Sequence, residues 1–174
     1  MNTKSLVLMS LLTAVGAALY LIIPPITGGM KPDFMLTMMF ISIFLFPEVR
    51  NVFLLAGTTG IISGIFSNFP GGFIPNVVDK FITAFVIYAI IVSLKKITGN
   101  LIASTVVAGI GTVLSGSIFL SIAIFILGAD LPFGGLFLAV VLPAVAMNGI
   151  AFFLIYPIVK GLVKRSSFKT AFSN

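Results

Sequence analysis

The chain has 174 residues, of which 59% are hydrophobic and 8% charged, with a mean hydropathy of +1.26. An ordinary soluble domain carries roughly 45–50% apolar and about 25% charged residues, so the composition excludes one. There is no Cys and no His, which removes disulfides, thiolate nucleophiles, zinc ribbons and imidazole bases, and the formal net charge is +6.

The ten basic and four acidic residues fall in clusters that leave six long uncharged runs. In chain order they cover about 5–23, 34–46, 51–66, 76–94, 101–127 and 136–159. Pro24 and Pro25 close the first, Pro47, Glu48 and Arg50 the second, and Lys95 and Lys96 the fourth. The fold expected is all-α: a polytopic membrane protein built as a bundle of six transmembrane helices. Residues 1–174 form one integral-membrane substrate-binding domain, with no room for a soluble enzyme module. A signal peptide over 5–23 is the competing reading of the first run. Its 19 apolar residues are long for one, and no small-x-small cleavage site precedes Pro24.

The second and third runs hold 13 and 16 residues, reaching about 20–24 Å against a hydrocarbon core of roughly 30 Å. The Gly- and Pro-rich connections 24–32 and 69–75 are therefore expected to dip into the protein, where irregular backbone is tolerated only if buried or lining a cavity. Of the basic residues, Lys4, Arg50, Lys95, Lys96, Lys160, Lys164, Arg165 and Lys169 fall on one side, Lys31 and Lys80 on the other. By the positive-inside rule both termini are cytoplasmic. The same rule accounts for the basic tail, so no nucleic-acid partner is needed. Asp33, Asp79 and Asp130 lie toward the outer ends and Glu48 toward an inner one, so no acid is expected deep within a span.

Catalytic chemistry is hard to assemble here. Ser–His pairs and H-E-x-x-H helices are impossible, Asp33 and Asp79 each have a Lys within two residues, and no G-x-x-x-x-G-K-[ST] loop occurs. The chain reads as a non-enzyme with no cofactor and no metal, and any ATP hydrolysis would belong to a partner. Small residues recur at helical spacing in Ala14 and Ala18, in Gly60 and Gly64, and in Ser104, Ala108, Thr112 and Gly116. Such stripes let helix backbones approach, whether inside the bundle or against another subunit.

The two outer segments carry the candidate binding groups. The first runs from Pro24 through Gly28, Gly29, Met30, Lys31 and Pro32 to Asp33; the second from Phe69, Pro70, Gly71, Gly72 and Phe73 to Asn76, Asp79 and Lys80. If Asn76 opens the fourth helix, then Asn76, Asp79 or Lys80, and Thr83 share one stripe at its mouth. Asn148 is a strongly polar side chain near the middle of the sixth span, either interhelical glue or a functional group. A free amino acid suits this set: Lys31, Asp33, Asp79 and Lys80 offer both signs, and Met30, Phe69, Phe73 and Met147 offer surface for an aromatic side chain.

The first span, the stretch from Pro24-Pro25 through Gly29-Met30-Lys31-Pro32-Asp33 to Met38-Met39-Phe40, and the block Phe69-Pro70-Gly71-Gly72…Pro75-Asn76…Asp79-Lys80…Thr83-Ala84 closely resemble the bacterial tryptophan transport protein family. The resemblance covers most of the chain and is weakest after Leu101. It implies a membrane protein for tryptophan uptake, similar to the substrate-capture subunits of energy-coupling factor transporters. Such subunits have six helices, bind substrate in an outward-facing cavity, and use an Ala-x-x-x-Ala pattern in the first helix to dock a coupling transmembrane subunit carrying two ATPases. Ala14 and Ala18 match that pattern. On this reading Lys31 takes the substrate carboxylate, Asp79 or Asp33 the ammonium, Asn76 and Asn148 donate or accept hydrogen bonds, and Phe69, Phe73 and Met147 hold the indole. The absence of Trp then suits a protein needed when tryptophan is scarce. The alternatives are a stand-alone ion-coupled secondary transporter, a vitamin-specific capture subunit of the same architecture, and a structural membrane protein without a small-molecule substrate.

Overall fold

The computed structural model describes residues 3–24, 31–94 and 97–165. Among these residues the chain is all-helical, with six helices and no strand. They are α1 (Thr3–Ile22), α2 (Phe34–Leu45), α3 (Val49–Ile65), α4 (Phe73–Ser93), α5 (Leu101–Ile126) and α6 (Phe133–Arg165). A single 3₁₀ turn, Ile97–Gly99, precedes α5. Helices α1, α4, α5 and α6 are long and apolar enough to cross a bilayer, whereas α2 has 12 residues and α3 has 17.

The shortness of α2 has a packing reason. All twelve of its residues are buried, because α1, α3, α4, α5 and α6 surround it, so it meets no lipid and need not match the bilayer thickness. A helix that is apolar all round belongs in such a central position. Its start is set by Asp33, whose Oδ1 accepts from the Leu36 N–H at 2.9 Å, an N-cap that satisfies one of the first-turn donors. Asn100 caps α5 in the same way, accepting from Ile102 and Ala103.

The small-residue stripes divide between two roles. A Cβ at Gly60 would stand 3.0 Å from the Val77 Cα, and one at Gly64 would stand 3.1 Å from the Phe73 Cα, so these glycines bring α3 and α4 into backbone contact. Ser104, Ala108 and Thr112 of α5 are buried too. In α1 the residue that touches a neighbour closely is Gly16, against the Phe34 carbonyl and Met38 of α2. Ala14 and Ala18 are exposed on the outer face of the bundle.

Five hydroxyls in the spans are satisfied locally: Thr13, Thr58, Thr105, Thr112 and Ser117 each donate to the carbonyl four residues earlier. The inner half of the bundle is closed by an aromatic cluster. Phe44 meets Phe152 and Tyr156 edge-on at 5.4 and 5.7 Å, and Phe152 and Tyr156 stack at 4.9 Å. The Tyr156 hydroxyl donates to the Thr98 carbonyl at 3.1 Å and ties α6 to the 3₁₀ turn. Two π-helical turns, Ile122–Ile126 at the end of α5 and Phe137–Val141 near the start of α6, lie at the opposite end. A π turn shifts the register of the side chains that follow it, and such turns recur at functional sites.

Candidate functional site

A cavity of about 340 Å³ opens at the end of the bundle to which the charge count assigns the outside. That volume falls in the lower part of the range for small-molecule sites. The walls come from one end of the bundle: the last turn of α1, the start of α2, the end of α3 with the following loop, the first turns of α4, the last turns of α5 and the first half of α6. The connection 69–75 contributes Phe69 to the lining, and Gly71, at φ +73°, supplies its turn.

The ionic wall centres on Lys80. Its ammonium lies 2.8 Å from Asp79 Oδ2, 3.0 Å from Asp33 Oδ2 and 3.4 Å from Ser115 Oγ. An ammonium has three N–H donors, and all three are used here. Asp79 is fully buried and equally engaged: Ser115 Oγ donates to its Oδ2 at 2.8 Å and Thr83 Oγ1 to its Oδ1 at 2.9 Å. The triad therefore fastens α4 to the cap of α2 and to α5. Asp33 is the exposed member, with 31% of its side chain accessible. Its backbone N–H donates to Asn148 Oδ1 at 2.7 Å, and Asn148 Nδ2 reaches Thr112 Oγ1 at 3.4 Å. Asn148 thus holds the entry of α2 from behind the cavity and is not part of its lining.

One expectation is corrected by these contacts, and one pairing that the sequence left open is decided. Asp79 was expected at an outer helix end, yet it is 0% exposed, because α4 begins at Phe73 and places it nearly two turns inside the bundle. Of the two aspartates with a Lys within two residues, Asp79 bonds that neighbour, Lys80, and Asp33 does not bond Lys31. It pairs instead with Lys80, because capping α2 turns the Asp33 carboxylate toward α4. Lys31 points the other way: its Nζ donates to the Tyr20 carbonyl at 2.6 Å and sits 3.6 Å from the centroid of the Tyr20 ring, a cation–π contact.

The opposite wall is apolar. Phe69 and Phe119 meet edge-on at 5.4 Å, and Leu120, Leu136, Val140, Val141, Ala144 and Met147 complete it. The π turn of α6 brings Val140 and Val141, adjacent in sequence, onto the same cavity. Gly116 leaves the space between: a Cβ there would stand 2.7 Å from Val141 Cγ1. The α3 wall is polar and uncharged, with Ser63, Ser67 and Asn68. Asn76 lines the cavity from α4, its Nδ2 donating to the Gly72 carbonyl at 2.7 Å.

Seven residues singled out from the sequence, Lys31, Asp33, Phe69, Asn76, Asp79, Lys80 and Met147, therefore converge on one cavity. Phe73 lies outside the lining, packed across Gly64 of α3, and Met30 falls outside the described residues. Tyr20, Ser63, Ser115 and Phe119 look like ordinary span residues until the helices are assembled, and Gly116 stood out in the sequence only as a member of a small-residue stripe.

A cavity with both charge signs on one side and an aromatic, aliphatic wall on the other has the chemistry to suit a zwitterion bearing a large apolar group. A family profile described as "Tryptophan transporter TrpP" matches residues 2–164. The chain belongs to this family. Its relatives include proteins named "Probable tryptophan transport protein" from Bacillus subtilis (50% identical, over 98% of this chain and 99% of the relative), Clostridium acetobutylicum (38%, over 92% and 94%) and Clostridium perfringens (38%, over 95% and 96%). No solved structure matches the chain significantly. Family and fold together make this TrpP-family member a multi-pass bacterial membrane protein of transport, not an enzyme.

Proposed function

We propose that this chain captures L-tryptophan from the outer side of the cell membrane and is energised for uptake by a coupling transmembrane subunit with two ATPase subunits. The observation that carries the substrate reading is the pairing, in one cavity, of a zwitterion-matched wall with an aromatic lobe, in a chain whose relatives are named for tryptophan transport. Lys31 serves the substrate carboxylate, moving off the Tyr20 carbonyl to do so. Asp33, the accessible carboxylate, serves the ammonium; Asp79 and Lys80 hold it in place, and Asn148 anchors its backbone. Phe69, Phe119 and Met147 enclose the indole, with Asn76 as a hydrogen-bonding neighbour.

The partner reading is supported by the exposure of Ala14 and Ala18, which leaves a small-residue face of α1 unused by the bundle itself. Calorimetry on the detergent-purified chain tests the substrate: tryptophan should bind without nucleotide and rank first among the twenty amino acids and common vitamins in thermal stabilisation. A vitamin ranking first would replace the substrate and keep the architecture.

One observation favours a second reading. Asp79 is a wholly buried acid in a transport protein, the kind of residue through which a proton- or sodium-coupled carrier works. Uptake in cells lacking the coupling subunit separates the two: persistence supports ion coupling, and loss supports the ATP-driven partner.

A further inference from the structure

Ser63 is a buried residue of the cavity lining, and its Oγ has no hydrogen-bond partner in the protein. The other buried polar side chains of the lining are all engaged. Asn76 donates to Gly72, Lys80 bridges both carboxylates, and Ser115 donates to Asp79. Ser67 Oγ, half-buried beside Ser63 on the α3 wall, accepts from the Phe69 N–H. A buried hydroxyl without a partner carries an uncompensated desolvation cost. In a site where each comparable group is satisfied from within, the remaining one is available to a ligand.

We infer that Ser63 Oγ accepts the indole N–H of bound tryptophan and so distinguishes an indole from an aromatic side chain of equal size that lacks the donor. The inference rests on the tryptophan reading above. Indole nitrogen is a donor only, and it finds an acceptor when buried. The acceptor must also lie away from the groups that hold the amino-acid backbone. Ser63 is carried by α3, which contributes only neutral residues to the lining, whereas Lys31 and Asp33 come from the entry of α2 and Asp79 and Lys80 from α4. A site that hydrogen-bonds a substrate N–H penalises the analogue without it, because its own polar atom is left unpaired. In sequence Ser63 sits between Gly60 and Gly64 and passes for packing glue.

The test compares L-tryptophan with 3-benzothienyl-L-alanine, in which sulfur replaces the ring N–H at nearly the same shape, by calorimetry on the purified wild-type chain and on Ser63→Ala. The wild type should favour tryptophan by about tenfold, the scale of one net hydrogen bond. Ser63→Ala should weaken tryptophan by about that factor and leave benzothienylalanine within about twofold, erasing the preference. Its melting temperature should not fall, because the lost hydroxyl has no partner in the protein. Retention of the preference in Ser63→Ala, equal weakening of both ligands, or loss of the preference in Asn76→Leu alone would each overturn the assignment. Absence of tryptophan binding to the wild type would instead remove the substrate reading on which it rests.

Discussion

Replacing Lys80 by Met tests whether the Asp33–Lys80–Asp79 triad fastens the helices. The side chain is 2% exposed, and its three donors meet two carboxylates and a hydroxyl within 3.4 Å. Methionine keeps much of the volume but leaves Asp79 fully buried with only the Ser115 and Thr83 hydroxyls as donors, and Asp33 with the Leu36 N–H. Removing one partner of a buried ion pair costs about 3–5 kcal/mol, mostly because the remaining charge is stranded. At about 2–4 °C per kcal/mol for a chain of this size, that is a fall of about 6–20 °C. The assay is the temperature at which half the detergent-solubilised protein leaves the monodisperse size-exclusion peak. The double variant Asp79→Asn with Lys80→Met removes the stranded charge together with its partner. It should therefore melt above the sum of the single changes by a coupling of about 1–3 kcal/mol. A Lys80→Met loss below about 1 kcal/mol, or strict additivity in the double variant, would refute the triad as a structural fastening.

Three further outcomes follow from the same geometry. Lys31→Ala should weaken tryptophan about tenfold with little change in melting, since Lys31 bonds a single carbonyl at the rim; the chain has no Trp, so the ligand's own indole fluorescence reports binding. Phe119→Ala should weaken it at least as much, whereas Phe73→Ala, outside the lining, should leave affinity unchanged while loosening α3 from α4; equal effects would misplace the aromatic lobe. Gly111→Ala should cost about 1–3 kcal/mol, because its Cβ would stand 2.6 Å from Cζ of the buried Phe40 ring, while Gly149→Ala, in open space, should be neutral or gain up to about 1 kcal/mol in the same thermal assay.

Hydropathy alone was enough for the number of helices and the membrane setting, because a bilayer demands long uncharged runs and a protein that lacks them cannot hide the fact. The two outer segments with Lys31, Asp33, Asn76, Asp79 and Lys80 were legible as well, since charged residues beside Gly and Pro stand out against an apolar background. Pairing was not legible. Lys31 and Asp33 are two residues apart and look like a local ion pair, but whether a side chain reaches its neighbour depends on the cap geometry, which turns Asp33 toward a lysine 47 residues away. Nor could spacing tell the stripe Gly60 and Gly64, spent on α4, from Ala14 and Ala18, left on the surface, because small residues carry no mark of which neighbour they face. The apolar lobe was hidden for the same reason: Phe119 is one of 18 Phe residues, and only the convergence of α5 and α6 around Gly116 distinguishes it from those that meet lipid. Composition is a property of the chain and fixes its solvent; a site is a property of which helix ends meet, and that is decided by packing.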